Sequence, residues 1–250
     1  MIPSGLCAGG GQKEADGVER LDKRLANTGK WSRKEARELI RAGRVRVEGA
    51  VCRAPEQKVE ETAGLTVDGE AAGGSGPVYL MLNKPAGVVS STDEPGAATV
   101  LDLLGEEWQN RGLFPAGRLD KDTEGLLLLT NDGPLAHRLL APKRHVDKVY
   151  YVEVDGTLDP EDVEAVRSGI VLGDGTVCRP GELELLGAGR ARITIHEGKY
   201  HQVKRMLAAR GKPVRYLRRE QFGPLVLDQN LPKGGWRALT EEEIQALFRQ

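Results

Sequence analysis

Apolar and polar positions along the chain follow two regimes that meet near residue 78. In the first, apolar residues recur at helical spacing. Leu21 and Leu25 lie four apart, and Gly29 supplies a helix stop. Ser32-Arg33-Lys34-Glu35 has the form of a capping box, and Ala36, Leu39 and Ile40 make the apolar face of the helix it opens. Gly43 ends that helix. Arg44-Val45-Arg46-Val47 then alternates as a half-buried strand, with Glu48-Gly49 as the turn into Ala50-Val51-Cys52.

In the second regime strands dominate. Val78–Leu82 reads as a short strand and Asn83–Gly87 as a turn. Leu126–Leu129 is an apolar run that suits a fully buried strand or the start of a buried helix. Leu135–Leu140 predicts a short helix, and Pro142–His145 a basic turn. Lys148–Val154 predicts a strand with Tyr150 and Tyr151 on opposite sides. Asp159 caps a helix with Pro160 at its first position. Gly173-Asp174-Gly175 reads as a hairpin turn and Arg190–Ile195 as another strand. Val214–Leu225 reads as a strand and turn. Thr240 and Glu243 form the capping box of a terminal helix.

These patterns divide the chain into a disordered tail (1–18), a small αβ domain (19–67), a linker rich in Gly and Ala (68–77) and a larger domain (78–250). A chain of 250 residues is long enough for one or two domains. Its net charge of −1 gives no global sign of a nucleic-acid partner. The charge is segregated, however. Glu19 to Lys58 holds twelve basic and six acidic residues, a local +6. Arg33, Arg37 and Arg41 recur every four residues on one helix face, and Arg44 and Arg46 project from the exposed side of the next strand. Such a surface binds phosphates with a salt-dependent affinity. The other reading is a solvated helix face.

The three cysteines (Cys7, Cys52 and Cys178) are far apart and suit neither a disulfide framework nor a zinc site. Gly9-Gly10-Gly11 is not a phosphate loop, because no strand precedes it. With no apolar run of transmembrane length and no signal pattern, a soluble cytoplasmic protein is expected.

The densest chemistry lies at Gly117-Arg118-Leu119-Asp120-Lys121-Asp122-Thr123-Glu124-Gly125-Leu126, just ahead of the apolar run. Taken alone, it could be an ordinary acidic turn, a site for a hard cation or a paired-carboxylate site. The second dense stretch is Ile195-His196-Glu197-Gly198-Lys199-Tyr200-His201-Gln202-Val203-Lys204-Arg205-Met206-Leu207. Lys199, Lys204, Arg205 and Arg210 lie at a helix start that could bind phosphate. The two histidines could mean a metal or a general base, but a hydrogen-bonded structural role is commoner, and further ligands at a metal spacing are missing.

The whole string Gly-Arg-Leu-Asp-x-Asp-Thr-x-Gly-Leu resembles the active-site motif of pseudouridine synthases of the RsuA type, which isomerise a uridine within ribosomal RNA. Leu82-Asn83-Lys84-Pro85-x-Gly87 resembles the opening strand and loop of that family, Lys148-x-Tyr150 its second motif, and the stretch from Ile195 its third. Arg20 to Gly49 looks like an S4 domain, a small RNA-binding module. The resemblance implies an α+β protein in which an S4 domain is joined by a flexible linker to a mixed-sheet catalytic domain. It implies that Asp120 is the catalytic aspartate, Tyr150 the base-stacking residue and Lys204 the cation paired with the carboxylate. Leu217 would pack against the uracil, and Arg118 would contact the RNA around the displaced base. A salt bridge from Arg118 to Asp122 or Glu124 is the other reading. Lys84, Lys199 and Arg205 are read as phosphate contacts.

No cofactor or metal is implied. The expected partner is ribosomal RNA or an assembling ribosomal subunit, bound by a monomer away from any membrane. Leu82–Asp93 and Ala141–Tyr151 favour small-subunit RNA. Large-subunit RNA is the nearest alternative. A non-catalytic RNA-binding assembly factor is the alternative of another class.

Overall fold

A computed structural model of the chain describes residues 18–28, 30–60, 63–72, 76–109, 111–141 and 146–249. The tail, Gly29, the centre of the expected linker and the basic turn at 142–145 lie outside these residues. The chain divides into two compact units between Gly76 and Pro77.

The first unit runs β1 (Val18–Arg20), α1 (Leu21–Ala26), α2 (Arg33–Arg41), β2 (Val45–Val47), β3 (Ala50–Cys52), β4 (Lys58–Glu60), β5 (Leu65–Val67) and β6 (Glu70–Ala71). The capping box at α2 is present: Ser32 Oγ accepts from the Glu35 amide, and the Glu35 carboxylate accepts from the Ser32 amide. Leu21, Leu25, Ala36, Leu39 and Ile40 form one buried cluster with Val45, Val59 and Val67, and Trp31 packs against it. The β2–β3 turn places Glu48 and Gly49 both at positive φ (49° and 80°), as a tight hairpin requires. Glu48 tolerates this conformation where its carboxylate accepts the Gly64 amide. The expected linker began at Asp68, but β5 and β6 form a hairpin through Asp68 and Gly69, so the sheet continues to Ala71.

The second unit runs β7 (Tyr79–Lys84), α3 (Glu106–Gln109), β8 (Phe114–Pro115), β9 (Glu124–Thr130), α4 (Gly133–Leu140), β10 (Lys148–Val154), α5 (Pro160–Ser168), β11 (Glu182–Gly187), β12 (Arg190–Ile195), α6 (Gln202–Ala209), β13 (Val214–Phe222), β14 (Leu225–Val226), β15 (Trp236–Ala238) and α7 (Glu241–Phe248). Its mixed sheet has the order β11-β12-β10-β13-β9-β7-β15, with β14 on β13 and β8 on β9. β9 and β13 are parallel, and the other pairs are antiparallel.

The apolar run at Leu126–Leu129 is therefore a strand in the middle of the sheet. Leu127 and Leu129 pack with Leu80, Leu82, Val166, Met206 and Leu207. Leu126 and Leu128 pack on the other face with Met81, Leu135, Leu139 and Leu247. Burial on both faces removes the alternation that would have distinguished strand from helix.

Candidate active site

Asp120 lies on the loop that enters β9, and the loop is fixed from several sides. Ser90 Oγ donates to the Leu119 carbonyl at 2.9 Å and faces the Leu119 amide at 3.1 Å. The Gly87 amide donates to the Lys121 carbonyl, and the Thr123 amide to the Asp120 carbonyl. Beneath the loop, the fully buried Lys84 ammonium donates to the carbonyls of Asp120 (3.0 Å), Thr123 (2.8 Å), Pro85 (3.1 Å) and Lys121 (3.3 Å). Burial pushes this ammonium down to about 8, against the pull of Asp122, Asp120 and Glu124. The reading of Lys84 as a phosphate contact is thus corrected: its charge faces inward and is occupied by backbone acceptors.

Gly125 shows how closely the strands approach here. It pairs with Lys84 on one side and with Arg219 on the other. With φ at +101°, a Cβ on Gly125 would stand 2.3 Å from the Arg219 carbonyl oxygen, which explains a glycine at this point of the motif.

Helix α6 brings Lys204 to the loop. Its Nζ lies 2.9 Å from Asp120 Oδ2 and 2.5 Å from Asp122 Oδ1. Burial pushes the Lys204 ammonium down, but the hydrogen bonds it donates to Asp122 and Asp120 outweigh this and hold its pKa above the usual lysine value. The bond from Lys204 in turn holds the Asp122 carboxyl below the usual carboxylate range. His201, just before α6, has its Nε2 3.4 Å from Asp120 Oδ1. Its backbone is left-handed (φ 48°), unusual for a non-glycine residue. The sequence reading gave His201 a structural role and did not place it at Asp120. Its position directly before a helix whose first turn is buried was the available hint.

Asp120, Arg118, Tyr150, Leu217 and His201 line one recess of about 80 Å³. Asp120, Arg118 and Tyr150 also line an adjoining cleft of about 840 Å³. Tyr150 and Leu217 are buried, on β10 and β13, while Tyr151 is half-buried on the other side of β10. Arg118 is exposed and forms no ion pair among the described residues. Asp122 is taken by Lys204, and Glu124 by Tyr216 (2.6 Å) and Lys233 (2.7 Å). The salt-bridge reading of Arg118 is corrected accordingly.

The remaining expected phosphate contacts differ among themselves. Lys199 is bound to Glu197 (2.9 Å) and Arg205 to Asp174 (2.5 Å). Arg210 is bound to the buried Asp162 at 3.0 Å. Each of these charges already has a carboxylate partner, which corrects the picture of a free basic helix start. In the first unit, Arg33 and Arg37 converge with Arg20 on the buried Asp22, and Arg44 pairs with Asp68. Arg46 donates, among the described residues, only to the Gly49 carbonyl, and Arg41 is exposed without an ion pair among them. Among the described residues, no group of three or more His, Cys, Asp or Glu side chains could hold a metal ion. No described helix is long and apolar enough to cross a membrane.

A small basic αβ unit and a mixed-sheet unit whose lysine-held aspartate lines a recess with Tyr150 and Leu217 together define an RNA-modifying enzyme. The RNA pseudouridylate synthase family matches residues 78–209 and the S4 domain matches residues 19–65. The chain belongs to the RNA pseudouridylate synthase family and is an isomerase with an S4 domain.

Its relatives include the uncharacterised RNA pseudouridine synthase YtzG of Bacillus subtilis, 46% identical over 91% of this chain and 98% of the relative. The ribosomal small subunit pseudouridine synthase A of Pseudomonas aeruginosa is 43% identical, covering 90% and 98%. That of Escherichia coli is 42% identical, covering 91% and 99%. A crystal structure of a pseudouridylate synthase superposes with a TM-score of 0.66 at 36% identity, over 92% of this chain and 99% of that one.

Proposed function

We propose that the enzyme isomerises one uridine of small-subunit ribosomal RNA to pseudouridine, as a monomer in the cytoplasm, with Asp120 as its catalytic carboxylate. The observation that carries the reading is the position of Asp120, 2.9 Å from Lys204 at a recess walled by Tyr150 and Leu217. The relatives named for the small ribosomal subunit support the choice of RNA.

The target base leaves its stack to enter the recess. Tyr150 stacks on it and Leu217 closes the far side. The bond between uracil N1 and ribose C1′ breaks, the ring turns, and C5 bonds to C1′ while its proton is lost and N1 gains one. Lys204 holds the Asp120 carboxylate aimed at the recess, by attraction at short range in a partly buried setting. His201 faces the other carboxylate oxygen. Arg118, without an ion pair among the described residues, contacts the RNA beside the displaced base. In the S4 domain, Arg41 and Arg46 supply phosphate contacts, with Arg33 and Arg37 at the margin of the same surface.

Carbodiimide treatment and primer extension on small- and large-subunit transcripts test the reading, with native protein and with Asp120→Asn. The expected result is one new stop on small-subunit RNA that only the native protein produces, with RNA affinity retained in Asp120→Asn. A stop on large-subunit RNA alone would move the substrate. Activity surviving in Asp120→Asn would refute the role of Asp120. Blanks on transcripts and on partly assembled subunits would favour a non-catalytic assembly factor.

A further inference from the structure

The cleft at Asp120 contains two buried cations that the isomerisation leaves unassigned. Lys148 and Arg219 lie on the neighbouring antiparallel strands β10 and β13, where Lys148 stands opposite Phe222 and Tyr150 opposite Arg219. Lys148 is 9% exposed and Arg219 is 2% exposed, and both line the cleft with Tyr150 and Phe222. They also share one ring. Lys148 Nζ is 5.7 Å, and the Arg219 guanidinium carbon 5.0 Å, from the centre of Phe222.

Their partners are incomplete. Lys148 Nζ donates to the Val146 carbonyl at 2.6 Å, and Arg219 Nε to the Leu126 carbonyl at 2.8 Å. Arg219 Nη2 meets no acceptor among the described residues. Neither cation forms an ion pair with a described carboxylate. Burial, reinforced by the Arg219 charge and only partly offset by the more distant Asp147 and Glu197 carboxylates, pushes the Lys148 ammonium down to about 8. Buried charges are ordinarily paired or bound to a ligand, and two like charges around one aromatic ring are less stable than one. The group that would complete this arrangement is an anion.

We infer that Lys148 and Arg219 form an anion subsite in the cleft that holds a backbone phosphate flanking the target uridine. The inference rests on the proposed RNA substrate, whose anionic groups are its phosphates. Arg219 is the cross-strand neighbour of Tyr150, and Lys148 lies two residues further along β10, about 7 Å of strand. A nucleotide with its base against Tyr150 therefore has a phosphate of its own within reach of both cations. A phosphate suits a guanidinium and an ammonium together, because its several oxygens accept from both. The subsite would fix the ribose relative to Asp120 and let the base turn while the backbone stays held.

Uridine, uridine 5′-monophosphate and uridine 3′-monophosphate are titrated into the native full-length protein at low ionic strength, followed by amide NMR shifts. One monophosphate is expected to bind about tenfold tighter than uridine. Lys148→Met should remove that gap and Lys148→Arg should keep it. Equal affinities for the three ligands would overturn the subsite with native protein alone, so a misfolded Lys148→Met variant would not shield it. A gap that persists in a folded Lys148→Met protein would overturn it too. Carbodiimide mapping with the same native preparation separates this inference from the proposed function. A gap without pseudouridine formation keeps the subsite and removes the substrate, whereas modification without a gap removes the subsite alone.

Discussion

The ammonium of Lys84 donates to the main-chain carbonyl of Asp120 at 3.0 Å, from the core side of the loop. The side chain of Asp120 faces the recess while its backbone is anchored by a charge that water does not reach. The same ammonium serves three more carbonyls of this region. Lys84→Met should leave those acceptors without their donor and cost about 2–4 kcal/mol in stability. Turnover should fall more than RNA affinity, because the carboxylate loses its position and the binding surface does not. Urea unfolding and single-turnover kinetics check both effects. Native stability with native turnover would remove Lys84 from the support of Asp120.

Lys204 bridges two carboxylates that differ in exposure. The Asp120 side chain is 26% exposed and the Asp122 side chain 76%. The more enclosed pair should matter more, since solvent screens the other. Lys204→Met is expected to lower the single-turnover rate by about a hundredfold or more, and Lys204→Arg to recover part of it. Asp122→Asn should lower it by less than about tenfold, because Lys204 still faces Asp120. A larger loss in Asp122→Asn than in Lys204→Met would reverse the assignment of the two carboxylates.

Gly125→Ala is expected to be among the most damaging single changes in the catalytic unit. The new Cβ would meet the Arg219 carbonyl oxygen at 2.3 Å and its amide nitrogen at 2.8 Å, both backbone atoms. The positive φ adds strain. A loss of about 3 kcal/mol or more should appear as a fall in thermal midpoint of about 6–12 °C. An unchanged midpoint would mean that β9 and β13 can separate freely at this point.

Local rules made much of the fold legible from sequence. The capping boxes at Ser32 and Thr240, the Asp159-Pro160 helix start and the alternating strand at Lys148–Val154 depend on neighbours a few residues away, and all are present. The parallel pairing of β9 with β13 was not legible. It joins Glu124 and Arg218, far apart in the chain, through residues that are apolar on both faces or tied into ion pairs. The site divides in the same way. The family-like motifs carried Asp120, Tyr150 and Leu217 to one recess and Lys204 to Asp120, but the inward turn of Lys84 leaves no local trace. A lysine after an apolar strand reads as a surface residue until the carbonyls around it are known.

The S4 domain carries its own acid-sensitive cluster. Burial pushes the Asp22 carboxyl up, but bonds and attraction from Arg20, Arg37 and Arg33 outweigh it and hold it well below the usual carboxylate range. A carboxyl with a folded pKa below its unfolded value binds its proton more readily when unfolded. Its stabilisation is therefore complete above about pH 5 and is lost as pH falls towards 2. Hydrogen-exchange protection at Ala36 and Ile40, taken relative to the intrinsic rate at each pH, should fall over that window in the native protein. Asp22→Asn should be less stable at pH 7 and show a flatter pH response. Equal pH profiles would exclude Asp22 as the source.

The same cluster decides which arginines are available to RNA. Arg33 and Arg37 approach Asp22 at 3.5 Å and 2.8 Å, so part of their field is neutralised inside the protein. Arg44 is neutralised by Asp68. Arg41 and Arg46 have no such partner among the described residues. Replacing one phosphate-neutralising side chain should reduce the slope of log affinity against log salt by about one. Arg41→Ala and Arg46→Ala are each expected to do so with little change in stability. Arg44→Ala should change the slope less, because it also releases Asp68. Arg37→Ala should act mainly by destabilising the unit, through the loss of a partner to a buried carboxylate. Filter binding to a ribosomal RNA fragment from 50 to 200 mM salt, with thermal unfolding of each variant, gives both readings. A full loss of slope in Arg44→Ala and none in Arg41→Ala would place the RNA along the strand instead of the helix.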